Sequence, residues 1–332
     1  MSKNFTENVL DLDYKSEVNS ICESLKRILI NKLKRRGFVV AISGGIDSSV
    51  SVALAVKALG KDRVLGLLLP EQDSSDKSSD RGQILAEHLG IEYIKQDIRK
   101  PLEAIGCYEW RDQAIKRTFP EYGEGWKNKI VISGGVEGKF NSFKLVVQDT
   151  SGQMFEKRLQ IKEYLEIVAA TNYKQRIRKT IEYFHADRLN YAVVGTPNRL
   201  EYDQGFFVKN GDGAADVKPI AHLYKTQVYA MAKYLGLPDV ICNATPTTDT
   251  YSLPQGQDEF YFALPYQQMD IALWALNNNK SAEDLSKMLH IDMKHAEYLY
   301  KDIESKRRAT AMLHWNAILV EPVAEPYTTS YI

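Results

Sequence analysis

The segment 38–50 constrains this chain more than any other. Phe38-Val39-Val40-Ala41-Ile42 is a short, wholly apolar run, the pattern of a strand covered on both faces. It passes directly into Ser43-Gly44-Gly45-Ile46-Asp47-Ser48-Ser49, and that into an Ala/Val-rich stretch that predicts a helix over 50–59. Paired glycines let a backbone turn tightly and point several N–H groups into one hollow. The helix N-terminus adds the positive end of its dipole. Ser43, Ser48 and Ser49 supply hydroxyl donors, and Asp47 supplies a carboxylate for Mg2+. Together these read as a cradle for pyrophosphate. There is no Gly-Lys-Ser/Thr ending, which separates it from the P-loop of kinases and GTPases. Two glycines and some serines alone could be a capped turn; the strand before and the helix after favour the phosphate site.

The flanking sequence supplies the scaffold. An amphipathic helix is predicted over 14–36, with Val18, Ile21, Leu25, Ile28, Leu29 and Leu33 at helical spacing and Gly37 as its stop. Beyond the cradle helix, a strand over 64–69, a helix over 79–89 and a strand over 91–94 continue the alternation. Strand and helix in that order predict a parallel sheet covered on both faces. The rhythm breaks between about residues 107 and 161, where the chain is glycine-dotted and loses its helical period. There 143–148 and 154–159 read as two strands joined by the turn Asp149-Thr150-Ser151-Gly152-Gln153. The expectation is a β-rich insertion at about 107–161 inside a single domain spanning 1–332. The alternation resumes with a helix over about 174–188, a strand over 191–194, a glycine-rich loop over 205–216 and a helix over 223–235. Helices over 266–276, 281–289 and 293–308 follow, with an irregular tail after them.

Charge and cysteine usage narrow the function. Lys+Arg and Asp+Glu both number 43, and a chain built to grip nucleic acid carries a basic excess, so no nucleic-acid partner is expected. Cys22, Cys107 and Cys242 are far apart, with no CxxC pair and no zinc spacing, which argues against a metal–thiolate site and for reduced thiols. The N-terminus is polar, and no run is apolar enough to cross a bilayer; a cytoplasmic protein with no membrane partner is expected.

Segment 43–49 resembles the SGGxDS signature of the N-type ATP-pyrophosphatases, which split ATP into AMP and pyrophosphate. A second set of residues resembles the NAD synthetase family among them. It comprises Gly195-Thr196-Pro197-Asn198-Arg199-Leu200-Glu201, the loop from Gly205 through Phe207, Lys209 and Asp212 to Asp216, and Leu223-Tyr224-Lys225-Thr226-Gln227. Asn172-Tyr173-Lys174-Gln175-Arg176-Ile177-Arg178 belongs with it. The resemblance covers about 14–106 and 170–308, and the stretch between lies outside the pattern. It implies an α/β fold with a doubly wound, Rossmann-like parallel sheet of the adenine nucleotide alpha-hydrolase type, carrying the β-rich insertion and a helical C-terminus. It implies ATP-dependent, ammonia-dependent conversion of nicotinic acid adenine dinucleotide (deamido-NAD) to NAD through an acyl-adenylate, on a cytoplasmic homodimer.

Residue by residue, the resemblance makes Asp47 and Glu201 the Mg2+ ligands, and two carboxylates at the C-terminal ends of neighbouring strands suit that task. Lys225 and Thr247 match positions that hold the departing phosphates, beside Ser43, Gly44, Gly45, Ser48 and Ser49. A lysine in the first turn of a helix opposes the helix dipole, which an anionic ligand would account for. Arg178 and Thr196 match adenylate contacts, with Leu67-Leu68-Leu69 along the adenine. Phe207, Lys209 and Asp212 would hold the dinucleotide by stacking, charge and hydrogen bonding, and Asp216 would lie close to the reacting groups. Asp47, Lys225 and Asp216 are therefore the expected catalytic residues. No glutaminase signature accompanies a cysteine, so free ammonia or a separate partner is expected to supply nitrogen.

Three departures stand beside the resemblance: the insertion, the run of 245–254 into Gln257-Asp258-Glu259-Phe260-Tyr261-Phe262, and Ser305-Lys306-Arg307 where His-Lys-Arg is common. They leave a second reading open, the same amidation applied to another carboxylate such as a sugar acid. A tRNA-modifying enzyme shares the cradle but would bring a basic surface or catalytic cysteines.

Overall fold

The computed structural model describes residues 8–133, 142–244, 250–256 and 264–321. Helix α1 (Tyr14–Arg27) starts at the Asp13 cap and runs into a π-helical turn, Ile28–Leu33, that ends at Lys34 in the left-handed conformation. The helix thus stops at Lys34, ahead of the expected glycine. The central sheet has the order β3-β2-β1-β7, all parallel, from Phe38–Ala41 (β1), Val64–Leu68 (β2), Glu92–Lys95 (β3) and Ala192–Val194 (β7). Helix α2 (Ile46–Leu59) connects β1 to β2, and α3 (Asp76–Leu89) connects β2 to β3.

Alternation along the strands assigns the two faces. Phe38 and Val40 of β1 pack with α1, α2 and α8 (Lys225–Tyr234), whereas Val39, Leu65, Leu67 and Val193 pack on the opposite side. That second side is covered by α4 (Arg99–Ala104), α5 (Cys107–Thr118) and α6 (Ile161–Leu189). A sheet buried on both faces explains why its strands read as continuous apolar runs. The chain moves outward from β1 through β2 to β3, then returns to place β7 on the other side of β1. The loops leaving β1 and β7 therefore diverge, and a crevice opens at their carboxyl ends, the place where open α/β sheets bind ligands.

The connection from β3 to β7 differs from the expected β-rich insertion in its first part. Residues 107–118 form helix α5, whose buried positions are Cys107, Tyr108, Arg111, Ala114 and Ile115. That stripe has helical spacing, but a buried arginine in its centre hides it from an apolar pattern. Helix α6 begins at Ile161 rather than near 174, and its buried stripe includes Thr171 and Lys174. Between them lies an antiparallel sheet, β4-β5-β6, formed by Lys127–Ser133, Ser142–Gln148 and Met154–Arg158. The β5–β6 hairpin matches the expectation; β4, with Lys127, Asn128 and Lys129 at its start, was not foreseen. Ile130, Leu145 and Val147 pack with Ala114 and Ile115 of α5, Ile167 of α6 and Tyr251.

After β7 come α7 (Arg199–Gln204), α8, α9 (Asp239–Cys242), α10 (Tyr266–Asn277), α11 (Ala282–Leu289) and α12 (Met293–Thr310). The last three pack together and onto Leu200 of α7. All three cysteines are free and buried. Among the described residues no helix is long and apolar enough to cross a membrane.

Helices α5 and α6 pack on both the parallel sheet and the small antiparallel one, so the two layers should unfold together. Leu145 is fully buried, and Leu145→Ala is expected to cost about 3 kcal/mol. Urea titrations followed by far-ultraviolet circular dichroism and by tryptophan fluorescence should coincide, with an unchanged slope. Two separated transitions would show that the small sheet unfolds independently.

Candidate active site

The cradle is built by a close approach of two backbones. Ile42 N–H still bonds the Leu67 carbonyl (2.8 Å), and the chain then turns through Gly44 at φ +76°. A Cβ on Gly44 would sit 2.2 Å from the Ser78 carbonyl oxygen, so only glycine fits. Arg81 of α3 fixes this approach: its Nε donates to the Gly44 carbonyl (3.0 Å) and its guanidinium to Ser78 Oγ (3.2 Å). Helix α2 starts at Gly45 without a side-chain cap, which leaves its first N–H groups for an anion. Ser43 Oγ and Ser48 Oγ lie 3.1 Å apart, and both residues line the cleft. Ser49 differs from expectation: it is fully buried, and its hydroxyl donates to the Gly45 carbonyl (2.8 Å) within the helix. Its position one residue past Ser48 turns it into the core, where it braces the turn.

Asp47 is the hub. Its Oδ1 accepts from Asn198 Nδ2 (2.9 Å), and its Oδ2 is hydrogen-bonded to the ammonium of Lys225. Asn198 caps α7: its Oδ1 accepts from Leu200 N–H (2.9 Å) and Glu201 N–H (3.2 Å), while Glu201 Oε2 accepts from Asn198 N–H (3.2 Å). This reciprocal capping box fixes the Glu201 carboxylate, and through Asn198 it is joined to Asp47, with both carboxylates lining the cleft. Lys225 is 2% exposed. Burial alone would lower its pKa, but the Asp47 carboxylate and then Glu201 outweigh that, so the ammonium form is favoured. Its helix is held from below by Asp270 of α10, fully buried, which accepts from Lys225 N–H (3.2 Å), Thr226 N–H (2.7 Å) and Thr226 Oγ1 (2.8 Å). Burial pushes Asp270 up to about 7, against the Thr226 and Lys225 donors that favour its charged form.

The remaining predicted residues divide. Arg178 donates from Nε to the Leu69 carbonyl (3.1 Å), and with Leu67 and Thr196 it lines the same cleft of about 780 Å³. Phe207, Lys209 and Asp212 line it too, each already engaged. The Phe207 ring meets His314 edge-on at 5.1 Å, with Lys218 Nζ over it at 5.8 Å. Lys209 Nζ donates to the carbonyls of Met312 (2.8 Å) and Trp315 (3.0 Å), and Asp212 Oδ1 accepts from Val208 N–H (2.7 Å), closing its own loop. Burial pushes the Asp212 carboxyl up. Asp216 is not brought to the cleft. Its Oδ2 accepts from Val193 N–H (2.7 Å) at the outer edge of β7, beside the Val194–Val217 bridge, because the chain there runs alongside the strand. Thr247 lies outside the described residues, as does the 257–262 run.

Reasoning from sequence missed Asn198, Arg81 and Asp270 as parts of the site. Asn198 stands three residues before Glu201, the spacing of a capping box, and that signal could have found it. Asp270 carries no such signal, since it reaches Lys225 from 45 residues away.

A four-stranded parallel sheet, an anion cradle at its switch point and a lysine–carboxylate pair beside it define a nucleotide-binding α/β protein of the ATP-pyrophosphatase type. The NAD synthase family model matches residues 17–119 and 139–310, and the chain belongs to that family. The NH(3)-dependent NAD(+) synthetase of Rhizobium meliloti is 53% identical over 322 residues, 97% of this chain and 96% of the relative. That of Mesorhizobium japonicum is 51% identical, over 96% of this chain and all of the relative. In fold, the chain is similar to the NMN synthetase from Francisella tularensis, with a TM-score of 0.65 and 22% identity over 93% of this chain and 99% of that one. The family model passes over only 120–138, so much less of the 107–161 stretch is foreign to the family than its sequence suggested. The long rhizobial alignments carry most of that stretch as well.

Gly44→Ala would place a methyl group against the Ser78 carbonyl and force a left-handed conformation on an L side chain. The expected result is a folded protein, less stable by at least about 1–2 kcal/mol because the clash adds to the left-handed strain, whose ATP affinity falls at least tenfold in titration calorimetry. Unchanged affinity would remove the cradle from the nucleotide site.

Proposed function

We propose that this chain is an ammonia-dependent NAD synthetase that uses ATP to convert deamido-NAD to NAD, releasing AMP and pyrophosphate. The observation that carries this reading is the joining of Asp47, Lys225, Asn198 and Glu201 beside the 43–49 cradle. The relatives named above, at half identity over nearly the whole chain, support the choice of acceptor.

The chemistry asks mainly for positioning and charge stabilisation. The triphosphate lies against Ser43, Gly45, Ser48 and the first turn of α2, with its adenine along Leu67–Leu69 and its ribose side near Arg178 and Thr196. The nicotinate carboxylate attacks the α-phosphorus, and the P–O bond to pyrophosphate breaks. Lys225 and the Ser43 and Ser48 hydroxyls receive the negative charge that develops on the departing oxygen. Ammonia then attacks the acyl carbon, loses a proton and expels AMP. Asp47 and Glu201 are hard oxygen donors held by Asn198 at one mouth, the donor set that Mg2+ takes from protein when phosphate and water complete its shell. Bound there, Mg2+ would neutralise phosphate charge. Phe207, Lys209 and Asp212 hold the acceptor; Lys209 keeps a third N–H beyond its two carbonyl contacts. Asp216 acts through the β7 edge rather than by touching the reacting groups. The reading also carries a cytoplasmic homodimer.

The test follows pyrophosphate release from ATP, Mg2+ and ammonium, with deamido-NAD, its mononucleotide half or no acceptor. Dinucleotide-dependent release with NAD as product is expected. Lys225→Met should lower kcat by about 10²–10³, with the acceptor KM little changed, and Asp47→Ala should be inactive. Release driven equally well by the mononucleotide, or by neither acceptor, would overturn the assignment.

A further inference from the structure

Behind the cleft wall, and outside its lining, lies a buried charge cluster that the chemistry above does not use. Lys174 of α6 is 1% exposed. Its ammonium meets Asp73 Oδ2 at 2.5 Å, Glu71 Oε1 at 3.1 Å and the main-chain carbonyl of Thr250 at 2.9 Å. Arg111 of α5, itself 4% exposed, closes on the same Asp73 oxygen at 2.6 Å. Burial alone would raise the Asp73 pKa, but Lys174 and Arg111 hold it below the usual carboxylate range, so the cluster is ionic. Buried ion clusters are weak sources of stability, and an apolar cluster of equal volume would serve a core as well. What this one does is join three walls of the cleft at a point: the loop after β2, helix α6 and the segment 250–256.

The small antiparallel sheet grips that segment from the other side. Asn128 of β4 donates its N–H to Ser252 Oγ (2.8 Å) and accepts from Leu253 N–H (3.1 Å). Gln255 donates to the Ile130 carbonyl (2.5 Å), and Tyr251, 4% exposed, enters the core between the sheet and α5–α6. Upstream, the Tyr229 hydroxyl donates to the Ala244 carbonyl (2.9 Å), so residue 244 is tied to α8, the helix of Lys225. Thr250 and Tyr251 both line the cleft.

We infer that Lys174 is a positioning residue for the cleft wall formed by Thr250 and Tyr251, acting through the Thr250 carbonyl, and that β4 braces segment 250–256 from behind. β4 lies in the part that the family model passes over, so this is a feature of the subgroup that carries it. The inference rests on the cleft being the ATP site, as proposed above.

Ser252→Ala, Lys174→Met and the double variant test it, with thermal melts to establish folding. In each single variant kcat for pyrophosphate release should fall about tenfold, with the acceptor KM within twofold of the parent. ATP affinity should weaken in calorimetry without any acceptor, a readout that stands even if the acceptor proves to be another carboxylate. Because both changes act through one segment, the double variant should be no worse than about the poorer single one. Parental kcat and ATP affinity in folded Ser252→Ala would overturn the brace even if Lys174→Met does not fold. Fully additive losses, or a raised acceptor KM at unchanged kcat, would equally overturn it.

Discussion

An ammonium buried in the first turn of a helix is disfavoured twice, by lost hydration and by the helix dipole. Lys225 stands there in this protein, and the site is organised around keeping it charged. Asp47 comes to it from the first turn of α2; Asn198 and Glu201 come from the cap and first turn of α7, which follows β7; Asp270 holds its helix from the C-terminal bundle. Three regions distant in sequence converge because β1 and β7 are neighbours while the chain leaves them in different directions. Taking away one charge would strand the other, so ion pair and sheet topology are mutually dependent. A bound polyphosphate adds the negative charge that such a lysine lacks in isolation.

The parts of the fold legible in sequence were those whose burial is mostly apolar. The β1 and β2 runs, the Ala/Val-rich α2 and the terminal helices all announced themselves, and their observed ends fall within a few residues of expectation. The illegible parts bury polar groups. Helix α5 and the N-terminal half of α6 turn Arg111, Thr171 and Lys174 inward, and a pattern that treats those residues as surface cannot see a helix there. β4 failed for a related reason: it opens with Lys127, Asn128 and Lys129, and Asn128 is fully buried because it serves another segment.

The site divides along the same line. The cradle, Asp47, Glu201, Lys225, Arg178 and Thr196 form local motifs or matched a family pattern, and the fold brings them to one cleft. Ser49 and Asp216 were chemically plausible but turn elsewhere, since side-chain direction depends on a single residue of register. The groups that hold the machinery in place, Arg81 under the cradle and Asp270 under Lys225, act across long sequence separations that no local spacing encodes.

The carboxylate of Asp216 has a consequence at the scale of many molecules. A sheet of four strands has two edges, and an edge left unpaired is a template on which a foreign strand can add. On the β7 side the backbone at 216–217 already runs alongside the strand, and the Asp216 carboxylate occupies the Val193 donor. On the β3 side, Glu92 and Lys95 sit at the two ends of a four-residue strand. Both rims are thereby poor partners for a fifth strand, and crowded copies of this chain are protected from zipping together through their most regular backbone.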